Sequence, residues 1–255
     1  ESDWWDAGSR WLGRCAASGR TWPQSDIDGV PPEQLRRLMA APRRYGWHAT
    51  LTAPFTLRPQ IEASGLRAGL RMLCQAWKPF DMPALKVALL DDFLALVPAG
   101  PSTALRAVAD ACVTGLHAFA EPLSPAELQR RRAAGLTPEE DALLLRWGYP
   151  FVLDRFRFHM SLTGSLRGVE PAVVAALEAA AQRLFAPLLA LPPPRFEAIS
   201  LFAEPSPGPW GSTGRPTGSA TACAMPSCRR RARAASWSST DRAPTCPRPR
   251  DAFPT

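Results

Sequence analysis

With 255 residues, 46% of them hydrophobic, the chain is long enough for one large domain or two small lobes around an ordinary core. A mean hydropathy of −0.13 fits a water-soluble globular protein, no apolar run approaches a membrane span, and the N-terminus lacks the basic, apolar and small-residue order of a signal peptide. The formal charge of +7 suggests a polyanion partner, but eight Arg and two Asp in residues 206–255 supply most of it, and the near-neutral remainder argues against a stable nucleic-acid partner.

In chain order, residues 4–13 read as a short amphipathic helix and 14–31 as a loop rich in Gly, Ser and Pro. Pro32 and Glu33 open a helix that runs to about Ala40, with proline in the first turn, where it is tolerated. Residues 45–52 look like a strand ended by Ala53-Pro54, and 60–77 like a helix with Ile61, Leu66, Leu70 and Leu73 on one face. Residues 85–98 form a β-hairpin pattern, two apolar runs around the turn pair Asp91-Asp92. Helices follow at 101–120 and within 124–147, the latter started by Ser124-Pro125 and Thr137-Pro138. A second strand at 154–163, a helix at 170–186 behind Pro171, and a strand at 196–204 complete the ordered pattern.

Beyond Ser206 the composition changes. There is no Ile, Leu or Val, and Arg, Pro, Ser, Thr, Ala and Gly dominate. Such a segment offers too little apolar area to offset its ordering entropy. It reads either as a disordered basic tail or as an out-of-frame translation, and no folded domain is expected there. Cys15, Cys74 and Cys112 are scattered and no CxxC pair has a matching second pair. This argues against a structural metal site and for a reducing, cytoplasmic compartment.

Two stretches read alike: YGWHATLT at 45–52 and FRFHMSLT at 156–163. On a strand, residues i and i+2 share a face. His48 would stand beside Thr50 and His159 beside Ser161, while Trp47 and Leu51, or Phe158 and Leu162, would pack behind. An imidazole can give or take a proton near neutral pH. A hydroxyl can donate to an anionic oxygen. Two such pairs across a cleft supply a base, an acid and two phosphate contacts, enough to break a P–O bond without a metal or cofactor. Arg157, two residues before His159, is a candidate further phosphate ligand. Thr52 and Thr163 are candidates to support the site from behind. Tyr45 is expected to pack away from His48. His117 lacks a following hydroxyl and reads as structural. Arg130 to Arg132 read as a solvated helix face or the rim of an anion-attracting cleft, and Asp91-Asp92 as a turn, with no metal ligands at recognisable spacing.

The paired HxT and HxS phrases resemble the 2H phosphoesterase superfamily. YGWHATLTAPF, ALLDDFLALVPAGP, the long block from Leu123 to Gly164, and ISLFAEPSPGP together resemble its DUF1045 branch, over about residues 8–209. That branch is tied to phosphonate metabolism through operon association. The resemblance implies an α+β, two-lobed fold with pseudo-twofold repeats of strand-helix-strand-strand around a central cleft. Lobe 1 would span about 41–100 and lobe 2 about 150–205, within a single domain 1–205 and with a helical insertion at 101–148. It implies His48 and His159 as catalytic pair and Thr50 and Ser161 as phosphate contacts, acting on a small cyclic phosphate or nucleotide. A ribosyl cyclic phosphate is the natural candidate. The chain departs from the branch by lacking a strand ahead of Trp11-Leu12-Gly13, by having the tail where a last strand should follow Pro209, and by Thr52 where Lys is common. Two other classes remain open: a catalytically silent phosphate- or nucleotide-binding module, and an RNA-associated protein working through the basic tail.

Overall fold

Helix α1 (Asp3–Leu12) opens a computed structural model that describes residues 3–16, 18–203 and 219–224. Its buried stripe holds Trp4, Trp5, Gly8, Trp11 and Leu12. Phe185 gathers three tryptophans around it: Trp4 and Trp47 stack on it at 6.3 and 5.6 Å, and Trp11 tilts against it at 6.5 Å. Gly8 has no side chain because Trp47 occupies the space; a Cβ there would fall 2.0 Å from the indole.

Helix α2 (Pro32–Tyr45) runs five residues past the expected end and contains Pro42. A proline inside a helix leaves the carbonyl four residues back without its donor. Here that carbonyl belongs to Leu38, and the Gly164 N–H takes it at 2.7 Å. The helix therefore tolerates its proline through a bond to the segment just after the second histidine motif. The strand expected from residue 45 shrinks to β1 (Ala49–Thr50), followed after a bend by β2 (Phe55–Thr56).

Helix α3 (Ala63–Gln75), strand β3 (Phe80–Asp81), and the hairpin β4 (Leu85–Leu90) and β5 (Phe93–Pro98) follow. The hairpin turns at Asp91-Asp92 in the expected register, Leu90 opposite Phe93. Helix α4 (Thr103–Leu116) ends in a 3-10 turn at His117–Phe119. Helices α5 (Pro125–Arg132) and α6 (Pro138–Trp147) each start with a full capping box, Ser124 with Glu127 and Thr137 with Glu140. The Arg130–Arg132 run is partly engaged: Arg132 pairs with Asp141 through two bonds of 2.6 and 2.8 Å, and Arg131 reaches the Gly148 carbonyl.

The second strand is also shorter than expected. Residues 153–155 form a 3-10 turn, and only β6 (Met160–Ser161) is strand. Helix α7 (Pro171–Leu189) is long and apolar enough to cross a membrane by length and composition, contrary to the sequence reading. Val173, Leu177, Ala181, Phe185 and Leu188 are buried, and the helix packs against α1 and β4. A buried stripe of this kind is what a core helix shows. Strands β7 (Arg195–Phe196) and β8 (Ile199–Ala203) split the single strand expected there, because β7 pairs with β3.

The tail holds a further element. Strand β9 (Ser219–Ala224) pairs with β8 on one edge and with β1 and β2 in succession on the other. No folded domain was expected in residues 206–255, and these six residues add a single strand that the composition did not announce. The composition argument weighed side chains, whereas a strand is held by backbone bonds that Ala, Ser and Thr can supply. The other tail residues lie outside the described part.

The fold is thus mixed α and β with small antiparallel sheets. β6 adds to the β4–β5 hairpin, with Ala95 opposite Ser161, and β1 adds to the β8–β9 hairpin, with Thr50 opposite Cys223. Each motif strand pairs with a hairpin from the other half of the chain, and β1 and β6 lie beside one another.

Candidate active site

Alternation along the two motif segments is as a strand requires. Trp47, Ala49 and Leu51 are buried on one side, as are Phe158, Met160 and Leu162 on the other. His48, Thr50, His159 and Ser161 are half-buried on the opposite face. Helix α1 braces the back of both motifs. Gly8 meets Trp47, and the Trp11 indole N–H donates to the Leu162 carbonyl at 2.7 Å.

The two imidazoles are held alike. His48 Nδ1 donates to the Gly46 carbonyl at 2.8 Å, and His159 Nδ1 donates to the Arg157 carbonyl at 2.7 Å. A carbonyl only accepts, so in each neutral ring Nδ1 carries the hydrogen and Nε2 keeps the lone pair. His48 Nε2 meets the Thr50 hydroxyl at 3.2 Å. Burial lowers the proton affinity of His48, with the Gly46 bond opposing and His159 adding to the effect. His159 is lowered by burial as well, with Arg157 pulling it down and Asp91 pulling it up.

Aromatic side chains border both rings. Phe93 stands edge-on to His159 at 5.4 Å, and Phe202 lies 5.5 Å from His48. Tyr45 is 41% exposed and meets His48 edge-on at 6.2 Å. The sequence reading turned Tyr45 away from His48 by strand alternation. The residue is the last of α2, so helical geometry sets its direction instead.

Other expected positions have different occupations. The Arg157 guanidinium pairs with Asp91 through two bonds at an exposed position, Nη1 to Oδ1 at 3.2 Å and Nη2 to Oδ2, which leaves Nε–H and the outer N–H groups outside that pair. Thr163 is buried, and its hydroxyl accepts the Leu94 N–H at 3.0 Å, tying the end of the motif to β5. Thr52 sits half-buried at the bend after β1. His117 stands edge-on to Trp147 at 5.1 Å, on a different element. Among the described residues no group of three His, Cys, Asp or Glu is gathered for a metal. Sequence reasoning missed Gly46. Its φ of +78 and ψ of −171 lie in a region open almost only to glycine, and a Cβ would come within 2.6 Å of Ala16. The Tyr-Gly pair just before the motif was the available signal.

Fold and site together define a mixed α/β protein that brings two histidine motifs onto neighbouring strands. The chain belongs to the family described as a protein of unknown function (DUF1045), which matches residues 50–209. It is 40% identical over 208 residues to a protein of Janthinobacterium sp. (strain Marseille) named ribose 1,5-bisphosphate phosphokinase PhnN, covering 82% of this chain and 46% of that protein. A protein of the same name from Laribacter hongkongensis (strain HLHK9) is 36% identical over 217 residues, covering 81% of this chain and 46% of the relative. The chain thus spans about half the length of these curated relatives. No solved structure matches it.

Proposed function

We propose that the protein is a metal-independent phosphoesterase of the 2H superfamily that opens a cyclic phosphodiester, with His48 and His159 as the acid–base pair. The observation that carries this is the shared tether. Each imidazole stands one residue ahead of a motif strand with Nδ1–H tied to the carbonyl two residues back, so that Nε2 is the nitrogen that carries the lone pair for proton transfer. The exchange of motif strands between hairpins supports a two-lobed, pseudo-twofold arrangement of the superfamily's kind.

In the reaction one Nε2 takes a proton from water as its oxygen attacks phosphorus. The other imidazole protonates the departing sugar oxygen, so the ring opens to a monoester and the two histidines exchange one proton. Thr50 and Ser161 hold the phosphate oxygens. Thr50 must turn from His48 Nε2 to the phosphate, which frees that nitrogen for the proton. Arg157 can add a contact through guanidinium N–H groups that its pair with Asp91 does not use.

The names of the relatives bear on the substrate. A ribose carrying a 5-phosphate and a 1,2-cyclic phosphate yields ribose 1,5-bisphosphate when water attacks phosphorus and the bond to O2 breaks. That is the compound on which the relatives are named to act. A kinase of the P-loop type needs Gly-Lys-Ser/Thr around the phosphates. The two lysines here, Lys78 and Lys86, follow Trp77 and Leu85. We therefore assign the named kinase activity to the half of the relatives that this chain does not match.

The test is turnover of the 5-phosphorylated ribosyl 1,2-cyclic phosphate by single variants. His48→Ala and His159→Ala should each lose on the order of 10²–10⁴ in kcat. A silent phosphate-binding module would bind the compound equally well before and after both changes and convert none of it.

A further inference from the structure

We propose that the turn Asp91-Asp92 is a clamp that positions the second histidine motif, with Asp91 the positioning residue for His159. The motif strand needs one. β6 has only two residues and two ladder partners on β5. The chain on either side of it is irregular, so backbone pairing alone does little to fix the direction of the ring.

The turn grips the motif from both ends. Upstream, Asp91 holds the Arg157 guanidinium through both carboxylate oxygens. The carbonyl of that same arginine is the acceptor for His159 Nδ1–H. Downstream, Asp92 accepts from Ser165 Oγ at 2.6 Å and Arg167 Nε at 2.8 Å, and its carbonyl takes the Leu166 N–H at 2.6 Å. Between these grips the Leu94 carbonyl receives the Leu162 N–H at 2.8 Å and Thr163 binds the Leu94 N–H. Two carboxylates of a two-residue turn thus bracket residues 157–167. Asp91 stands at φ +55, where glycine would cost least. The position instead carries the carboxylate that the arginine uses.

Among the described residues, Phe93 on β5 stands edge-on to His159, and the charges of Asp91 on the turn and Arg157 on its own segment act on it. Burial is the largest influence on its proton affinity and lowers it, the bond to the Arg157 carbonyl raises it, and the Arg157 and Asp91 charges act in opposite directions. The first motif is held differently. His48 takes its direction from Gly46 wedged against Ala16, a contact of the core rather than of charge.

The inference deepens the proposed reaction and rests on it for its kinetic readout. The test is Asp91→Asn, Arg157→Gln and the double variant in the full chain. Asn tolerates left-handed backbone as Asp does, so the hairpin is kept. Each single variant should lower kcat on the order of tenfold to hundredfold, with KM little changed. The double variant should be no worse than either single one, because both break one linkage. Nitrogen and proton NMR of the three imidazoles supplies the second readout: the His159 ring signals should shift in all three variants, with those of His48 in place. A rise in kcat/KM through a lower KM in Asp91→Asn would make Asp91 a competitor for a phosphate-binding Arg157 and overturn the clamp. Additive losses, or an unmoved His159 ring, would overturn it as well. If the unaltered protein converts no cyclic phosphate, the phosphoesterase reading falls, and the imidazole spectra still decide the clamp.

Discussion

At the scale of single residues, a backbone carbonyl two positions upstream sets the tautomer of both histidines. For His48 that carbonyl belongs to a glycine in a conformation other residues avoid, pressed against Ala16. For His159 it belongs to an arginine whose side chain is held from the hairpin turn. Burial lowers the proton affinity of both rings below the ordinary imidazole value of 6.5. The pH dependence of kcat/KM reports the free enzyme and requires one ring neutral and one protonated. The profile should therefore be bell-shaped with its maximum on the acidic side of 6.5. A single-limb profile would contradict a two-histidine mechanism, and a maximum above that value would contradict the lowering of both rings by burial. The same shifts bear on stability. Between the lowered folded values and 6.5 the unfolded chain binds more protons, so this contribution is complete above 6.5 and is lost as pH falls through the folded values.

At the scale of elements, the motif strands are two residues long and depend on what lies beside them. Among the described residues β1 pairs only with β9, and β9 also joins β2 and β8. A chain ending at residue 216 should leave three strands without their shared partner and lose the support of the His48 segment. The expected outcome is a lower Tm together with loss of turnover, measured by thermal unfolding and assay of the same sample. An unchanged Tm would show that β9 holds nothing in place. The hairpin at 85–98, the proline-started helices and both capping boxes were legible in the sequence, since each rests on a local signal. So was the facing of Trp47 and His48, because alternation is local too. The run of α2 through Pro42 was not legible, since Gly164, far along the chain, supplies the donor that the Leu38 carbonyl lacks. Nor was β9, whose place depends on backbone partners in β1, β2 and β8. The direction of Tyr45 was misread for the same reason as α2: a helix stood where a strand was expected.

At the scale of the whole molecule, the two halves of the chain trade strands so that neither motif is complete alone. β6 needs β5 from the first half and β1 needs β9 from the second. α1 packs behind both, through Gly8 at Trp47 and Trp11 at Leu162. Under the proposed reaction, this would account for one protein carrying the same phrase twice, each copy contributing one imidazole. The relatives, about twice the length, are named for a kinase acting on ribose 1,5-bisphosphate. A ring-opening activity in this half would make that compound beside the activity that uses it. The most direct measurement is ³¹P NMR of 5-phosphoribosyl 1,2-cyclic phosphate incubated in EDTA with the protein and with the His48→Ala/His159→Ala double variant. The account predicts that the cyclic phosphate signal gives way to that of ribose 1,5-bisphosphate with the parent alone. Conversion that persists in the double variant, or that stops when EDTA is added to the parent, would contradict it.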